Sequence, residues 1–175
     1  SERINHGPSL QLHSLRQESN IGGNFHMTTP RTSPVVSGLQ KVFADTYSLY
    51  LKTQNYHWNV TGPSFSSMHA LFEAQYRELA EALDELAERL RILDVKAPGT
   101  FEEIQALTSI KGGKADQSAE QMVRDLLSGH ASMIQLVSEI LRTASDAADE
   151  GTVGLLSERL VSHEKTAWML RSSLP

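Results

Sequence analysis

The chain has no cysteine among its 175 residues. That excludes disulfide scaffolds, thiolate metal sites and cysteine nucleophiles. No apolar run approaches the roughly 18 residues that a membrane helix needs, so no membrane partner is expected. Alternating β-branched runs and Asn-Gly or Asp-Gly turns are missing, and nothing reads as a strand or a hairpin. The N-terminus shows no apolar stretch behind a basic start, so it does not read as a secretory signal. With cysteine also absent, the expected location is cytoplasmic. Positive charge is scarce: 16 Lys and Arg stand against 21 Asp and Glu, a net charge of −5. A surface built over its whole area for nucleic acid is therefore not expected. Hydrophobic residues make up 39% and charged residues 21%, an ordinary globular composition long enough for one domain with a core.

Residues 1–33 stand apart. They carry Gly7, Gly22, Gly23, Pro8 and Pro30, many Ser and Asn, and no sustained periodicity. Three arginines and two glutamates give them a charge of +1, leaving 13 basic and 19 acidic residues in 34–175. The segment reads as a flexible tail; Met27 is a candidate natural start, with 1–26 upstream of it. A single folded domain is expected over 34–175.

From Pro34 the pattern is helical. Leu39, Phe43, Thr46, Tyr50, Thr53 and His57 follow the i, i+3/i+4 rule, with Ser33 as N-cap and Pro34 at the first helical position. Thr61-Gly62-Pro63 stops this helix. A second runs from about Ser64 to Asp94 on the stripe Phe72, Tyr76, Leu79, Leu83, Leu86, Leu90 and Leu93. Ala97-Pro98-Gly99 follows, and Thr100 to Glu103 forms a capping box that opens a short helix to about Ile110. Ser118 to Gln121 is a second capping box. It starts a third long helix with the stripe Met122, Leu126, His130, Met133, Val137, Ile140 and Ala144. After Asp149-Glu150-Gly151, Thr152 caps a fourth, on Val153, Leu156, Leu160, His163, Ala167 and Leu170. Four long helices, split two and two by a connection holding a short one, predict an all-α, ferritin-like four-helix bundle with one crossover.

The second long helix carries a further stripe. At 100° per residue, with His69 at zero, Glu73 lies near ~40°, Asp84 near ~60° and Glu88 near ~100°, about 120° from the apolar stripe. Glu73 and Asp84 are separated by about 16 Å along the axis. Metal ligands sit about 2 Å from the ion, so one chain cannot bring all four groups to one ion. Two such helices packed antiparallel about a two-fold axis can, and the symmetry then makes two identical sites. His57 joins across the Gly-Pro break. Two imidazoles and three carboxylates suit Fe(II), Mn(II) or Zn(II), with open positions for an oxidant. An intrabundle di-iron site would need Glu-x-x-His pairs. Three residues before His69, His130 and His163 stand Ser66, Leu127 and Leu160, which disfavours it. His130 and His163, on apolar stripes, read as buried, hydrogen-bonded histidines. Asp146, Asp149, Glu150 and Glu158 are candidates for an acidic pore or a solvated turn. Glu78, Glu81 and Glu85 could line a cavity.

Thr53-Gln54-Asn55-Tyr56-His57-Trp58-Asn59-Val60-Thr61-Gly62-Pro63, then Phe65 and His69-Ala70-Leu71-Phe72-Glu73, closely resemble the Dps family of ferritin-like DNA-protection-during-starvation proteins. Asp84 to Arg89, Ala97 to Thr100 and His163 to Leu170 are similar to further family segments. The resemblance spans about 35–173. It implies that His57, His69 and Glu73 bind iron from one subunit and Asp84 and Glu88 from its two-fold neighbour. It further implies a ferroxidase forming hollow dodecamers, which oxidises Fe(II), preferably with hydrogen peroxide, stores ferric mineral and protects DNA. Trp58 becomes either a sacrificial electron donor or an aromatic packed under the site. Zn(II) or Mn(II) at the same site remains open. So does an alternative: a nucleoid-compacting DNA binder whose metal site is secondary. The basic terminal tail that such binding needs is missing here. A plain helical module with a structural metal is the third reading.

Overall fold

A computed structural model describes residues 33–175, and they form five helices and no strand. In chain order these are α1 (Pro34–Asn59), α2 (Phe65–Ile92), α3 (Phe101–Leu107), α4 (Ala119–Asp146) and α5 (Glu150–Ser172). The pairs α1–α2 and α4–α5 are helical hairpins. They dock through α1 on α4 and α2 on α5, and α3 lies against α1. The bundle and its crossover helix are thus as the periodicity predicts. Of the expected tail, only Ser33 is among the described residues, and it belongs to the fold. It is buried, and its hydroxyl accepts the Val36 N–H at 3.2 Å as the N-cap of α1.

One core runs the length of the bundle. Leu39, Val42, Leu49, Phe72, Leu79, Leu86, Leu90, Met122, Leu126, Met133, Val137 and Leu156 have no exposed surface. Each such side chain contributes about 1.5–3 kcal/mol on burial. Gly38 sets the α1–α4 approach, since a Cβ there would stand 2.5 Å from Ile140 Cδ1. The capping boxes at Thr100 and Ser118 are both formed, each with its side-chain and backbone bonds in place.

Four details depart from the pattern. The short helix ends at Leu107 rather than Ile110. There the buried Asp45 carboxylate on α1 takes the Thr108 hydroxyl, the Ser109 N–H and the Ser109 hydroxyl, at 2.8, 2.6 and 2.8 Å, and draws the chain out extended. The cap of α5 is Asp149, not Thr152: its carboxylate accepts the Thr152 N–H at 3.0 Å and hydroxyl at 2.9 Å. On α2, Gln75 and Ala82 are buried, while Tyr76 and Leu83 flank the core half-buried. On α5, Thr152 and Arg159 are buried and Val153 and Leu160 are half-buried.

Candidate metal centre

His57 lies near the end of α1 and His69 in the second turn of α2, on either side of the turn through Gly62. Gly62 has a φ of 102°, a left-handed conformation that favours glycine. The two imidazoles stack face to face, with centroids 3.8 Å apart and planes at 18°. Each ring also bonds the other's backbone. His57 Nδ1 reaches the His69 carbonyl at 2.8 Å, and His69 Nδ1 reaches the His57 carbonyl at 2.8 Å.

These reciprocal bonds have two consequences. The last carbonyls of a helix lack intrahelical partners, and that of His57, two residues from the end of α1, is satisfied by His69. A carbonyl oxygen can only accept, so both Nδ1 atoms carry the hydrogen. In the neutral rings both Nε2 atoms therefore hold lone pairs, the state in which histidine ligates a metal.

Aromatic rings frame the pair. Phe65 stacks on His69 with centroids 5.0 Å apart, and Tyr76 meets His57 edge-on at 5.2 Å. Glu73 lies one turn beyond His69. Arg77 grips a single oxygen of it, with Nε at 3.0 Å and Nη2 at 2.6 Å from Oε1, which leaves Oε2 without that partner. The guanidinium holds the Glu73 carboxyl below the usual range, and the two imidazoles add to the effect. One chain thus pairs His57 with His69 and sets Glu73 near enough to feel both rings, without closing the three into a metal-holding group.

Asp84 and Glu88 lie exposed further along α2 and make no hydrogen bond or ion pair among the described residues. No group of three or more histidine and acidic side chains able to hold a metal ion occurs among the described residues of one chain. Trp58, beside His57 in sequence, is 62% exposed and so does not pack beneath the imidazoles of its own chain. Sequence reading placed Tyr76 in the core stripe and missed Arg77. The i, i+4 spacing of Glu73 and Arg77 was the available signal.

The acidic cluster near the α4–α5 turn divides. Asp149 is buried and ion-paired with Arg89 at 2.6 Å, so it is a structural cap and not a pore residue. Asp146, Glu150 and Glu158 are exposed. Glu78 pairs with the buried Arg159, while Glu81 and Glu85 are exposed. His130 and His163 are buried and bonded to each other, Nδ1 to Nδ1, at 3.0 Å. Arg159 Nη2 faces His163 Nε2 at 3.4 Å. Burial pushes His130 down to about 3 and His163 well below its ordinary value. A cation inside the bundle would meet the Arg159 guanidinium, in keeping with the absence of Glu-x-x-His pairs.

The family model for the ferritin-like domain matches residues 36–174. A low-temperature-induced protein of Nostoc sp., itself uncharacterized, is 37% identical over 151 residues, 85% of this chain and 84% of its own. DNA protection during starvation protein 2 of Bacillus anthracis is 35% identical over 140 residues, 80% of this chain and 96% of its own. Among solved structures, the Dps protein of Vibrio cholerae, described as a member of the ferritin-like diiron-carboxylate superfamily, superposes with a TM-score of 0.77 at 30% identity. That match covers 79% of this chain and 87% of the Vibrio chain. The chain belongs to the ferritin-like proteins and, within them, to the DNA-protection-during-starvation (Dps) family. None of the described helices is long and apolar enough to cross a membrane.

Proposed function

We propose that this protein is a ferroxidase and iron store of the cytoplasm. Ferrous ion is its substrate, taken between two copies of the chain. His57, His69 and Glu73 of one copy and Asp84 and Glu88 of its two-fold neighbour supply the ligands. Hydrogen peroxide is the preferred oxidant, and the ferric product is kept as mineral inside a hollow dodecamer, which spares DNA from hydroxyl radical.

The observation that carries this reading is the reciprocal hydrogen bonding of His57 and His69. It leaves two Nε2 lone pairs beside a carboxylate with a free oxygen. Imidazole with carboxylate suits Fe(II), and hard oxygen ligands favour the ferric product. The exposed, unpartnered Asp84 and Glu88 complement it in chemistry, and family membership supports iron as the ion. Trp58, exposed and next to His57 in sequence, is in this reading an electron donor to the site.

The test is to load metal-free protein with Fe(II) anaerobically, add hydrogen peroxide and follow ferric absorbance. Fast oxidation should be lost in the His69→Ala/Asp84→Ala variant. Equal, slow oxidation in both proteins would sink the proposal. A gel shift across salt concentrations tests the DNA-binding alternative, in which retarded DNA would lose its retardation as salt rises.

A further inference from the structure

Three of the four tyrosines in the sequence stand in one unbroken line that begins at His57. Tyr76 meets the His57 ring at 5.2 Å, Tyr50 meets Tyr76 at 6.2 Å, and Tyr47 meets Tyr50 at 6.0 Å, all edge-on. The line is built by both helices of the first hairpin. Tyr50 and His57 are seven residues apart on one face of α1, a gap of about 10 Å. Tyr76 reaches across from α2 and fills it. Beyond Tyr47 stands Phe43, with centroids 6.4 Å apart. A benzene ring without a hydroxyl is far harder to oxidise, so the line of oxidisable rings stops at Tyr47. That residue lines a surface cavity of about 190 Å3 beside Pro98, Gly99 and Phe101. All three tyrosines are half-buried. The fourth, Tyr56, bonds Asp125 and Gln117 and stands outside the line.

We propose that Tyr76, Tyr50 and Tyr47 form a hole-transfer chain that carries an oxidising equivalent from the iron site to the cavity beside Tyr47. This rests on the iron-oxidising reading above. Hydrogen peroxide accepts two electrons, whereas a single ferrous ion gives one, and the shortfall releases hydroxyl radical. With a phenol as second donor, Fe(II), hydrogen peroxide and tyrosine give Fe(III), hydroxide, water and a neutral tyrosyl radical. The O–O bond breaks, iron and the phenol each lose one electron, and the phenolic proton completes the water. The radical then passes outward as each next phenol returns an electron to the ring before it; the donor phenol releases its proton to water and the reduced ring takes one back from water, since all three rings are partly exposed.

The Arg77 guanidinium, paired with Glu73, lies over the Tyr76 face, 5.7 Å from its centroid. Rings at these separations touch at their edges, so transfer between them needs no motion of the helices.

The experiment mixes the full chain, holding about one Fe(II) per subunit, with hydrogen peroxide and freezes it within milliseconds for electron paramagnetic resonance. Ferric absorbance is followed in the same mixing. A nitroso spin trap, with peptide mass spectrometry, locates the radical in parallel samples. The wild type should give a tyrosyl signal and an adduct on Tyr47. Tyr50→Phe keeps the ring and its packing but breaks the line. In that variant the Tyr47 adduct should fall at least fivefold, with radical retained at Tyr76. Ferric product without any tyrosyl radical, or an undiminished Tyr47 adduct in Tyr50→Phe, overturns the chain and leaves the iron reading standing. No ferric product in the wild type overturns the iron reading and the chain with it.

Discussion

Lowering the pH from 7 to 5 should weaken this fold through two residues outside the proposed site. His130 and His163 are buried and hydrogen-bonded to each other, and burial drives both downward, His130 to about 3. The Arg159 guanidinium beside His163 adds to the effect. In the unfolded chain each histidine takes a proton near pH ~6.5. Below that pH the unfolded state binds more protons than the folded one, so stability falls as pH falls. The contribution is complete above pH ~6.5 and drains at about 1.4 kcal/mol per pH unit per group, down to the folded-state value. At pH 5 a pair that stays neutral when folded costs about 4 kcal/mol. With a urea slope near 2 kcal/mol/M, the midpoint moves down by about 2 M. The carboxyls held low, Glu73 and Glu103, contribute only as pH falls below their ordinary value of 4.5, outside this window. The assay is urea unfolding of metal-free protein at fixed concentration, at pH 7, 6 and 5, beside a His130→Leu/His163→Gln variant whose glutamine still accepts from Arg159. The wild-type midpoint should drop steeply while that of the variant stays nearly level. Parallel decline of the two would refute the reasoning.

Asp45→Ala strands the Thr108 and Ser109 donors at a buried site. It should cost about 2–3 kcal/mol in urea unfolding and raise amide exchange in residues 108–110. Gly38→Ala drives a methyl into Ile140 and should lower stability by about 1–3 kcal/mol in urea unfolding. His69→Ala leaves the His57 carbonyl without its partner and should cost about 1 kcal/mol in the metal-free protein. Asp84→Ala, which breaks no bond, should stay within about 0.5 kcal/mol of wild type in the same urea titration.

The helices were legible because their signals are local. A 3.6-residue apolar period, two capping boxes and a Gly-Pro break each act within a few residues, and the helices, the boxes and the break stand where the pattern put them. Several of the misread positions were decided by residues distant in sequence. Asp45 ends α3 from 63 residues away. Arg89 comes from 60 residues away to the carboxylate that caps α5. Arg159 is buried because Glu78 and His163 meet it there, which no helical wheel of α5 reveals. At the candidate site the residue types and spacing were readable. The stacking of His57 on His69 was not, because it depends on how the Gly62 turn folds α2 back along α1.

The two halves of the proposed site differ physically, and the difference bears on what a metal does there. The imidazole half is part of the fold. Its Nδ1–H groups close the end of α1 on the start of α2, so both rings are oriented before any ion arrives. The carboxylate half contributes nothing to the folded chain, since Asp84 and Glu88 stand exposed and bond to no described residue. A structural metal site behaves otherwise, because its ligands lack their geometry until the ion supplies folding energy. Here the fold rests on an apolar core that runs through all four long helices and needs no ion. A site whose ligands are positioned without metal can release its ion without unfolding. Turnover of a metal substrate requires that, and it favours iron as cargo over zinc as a staple.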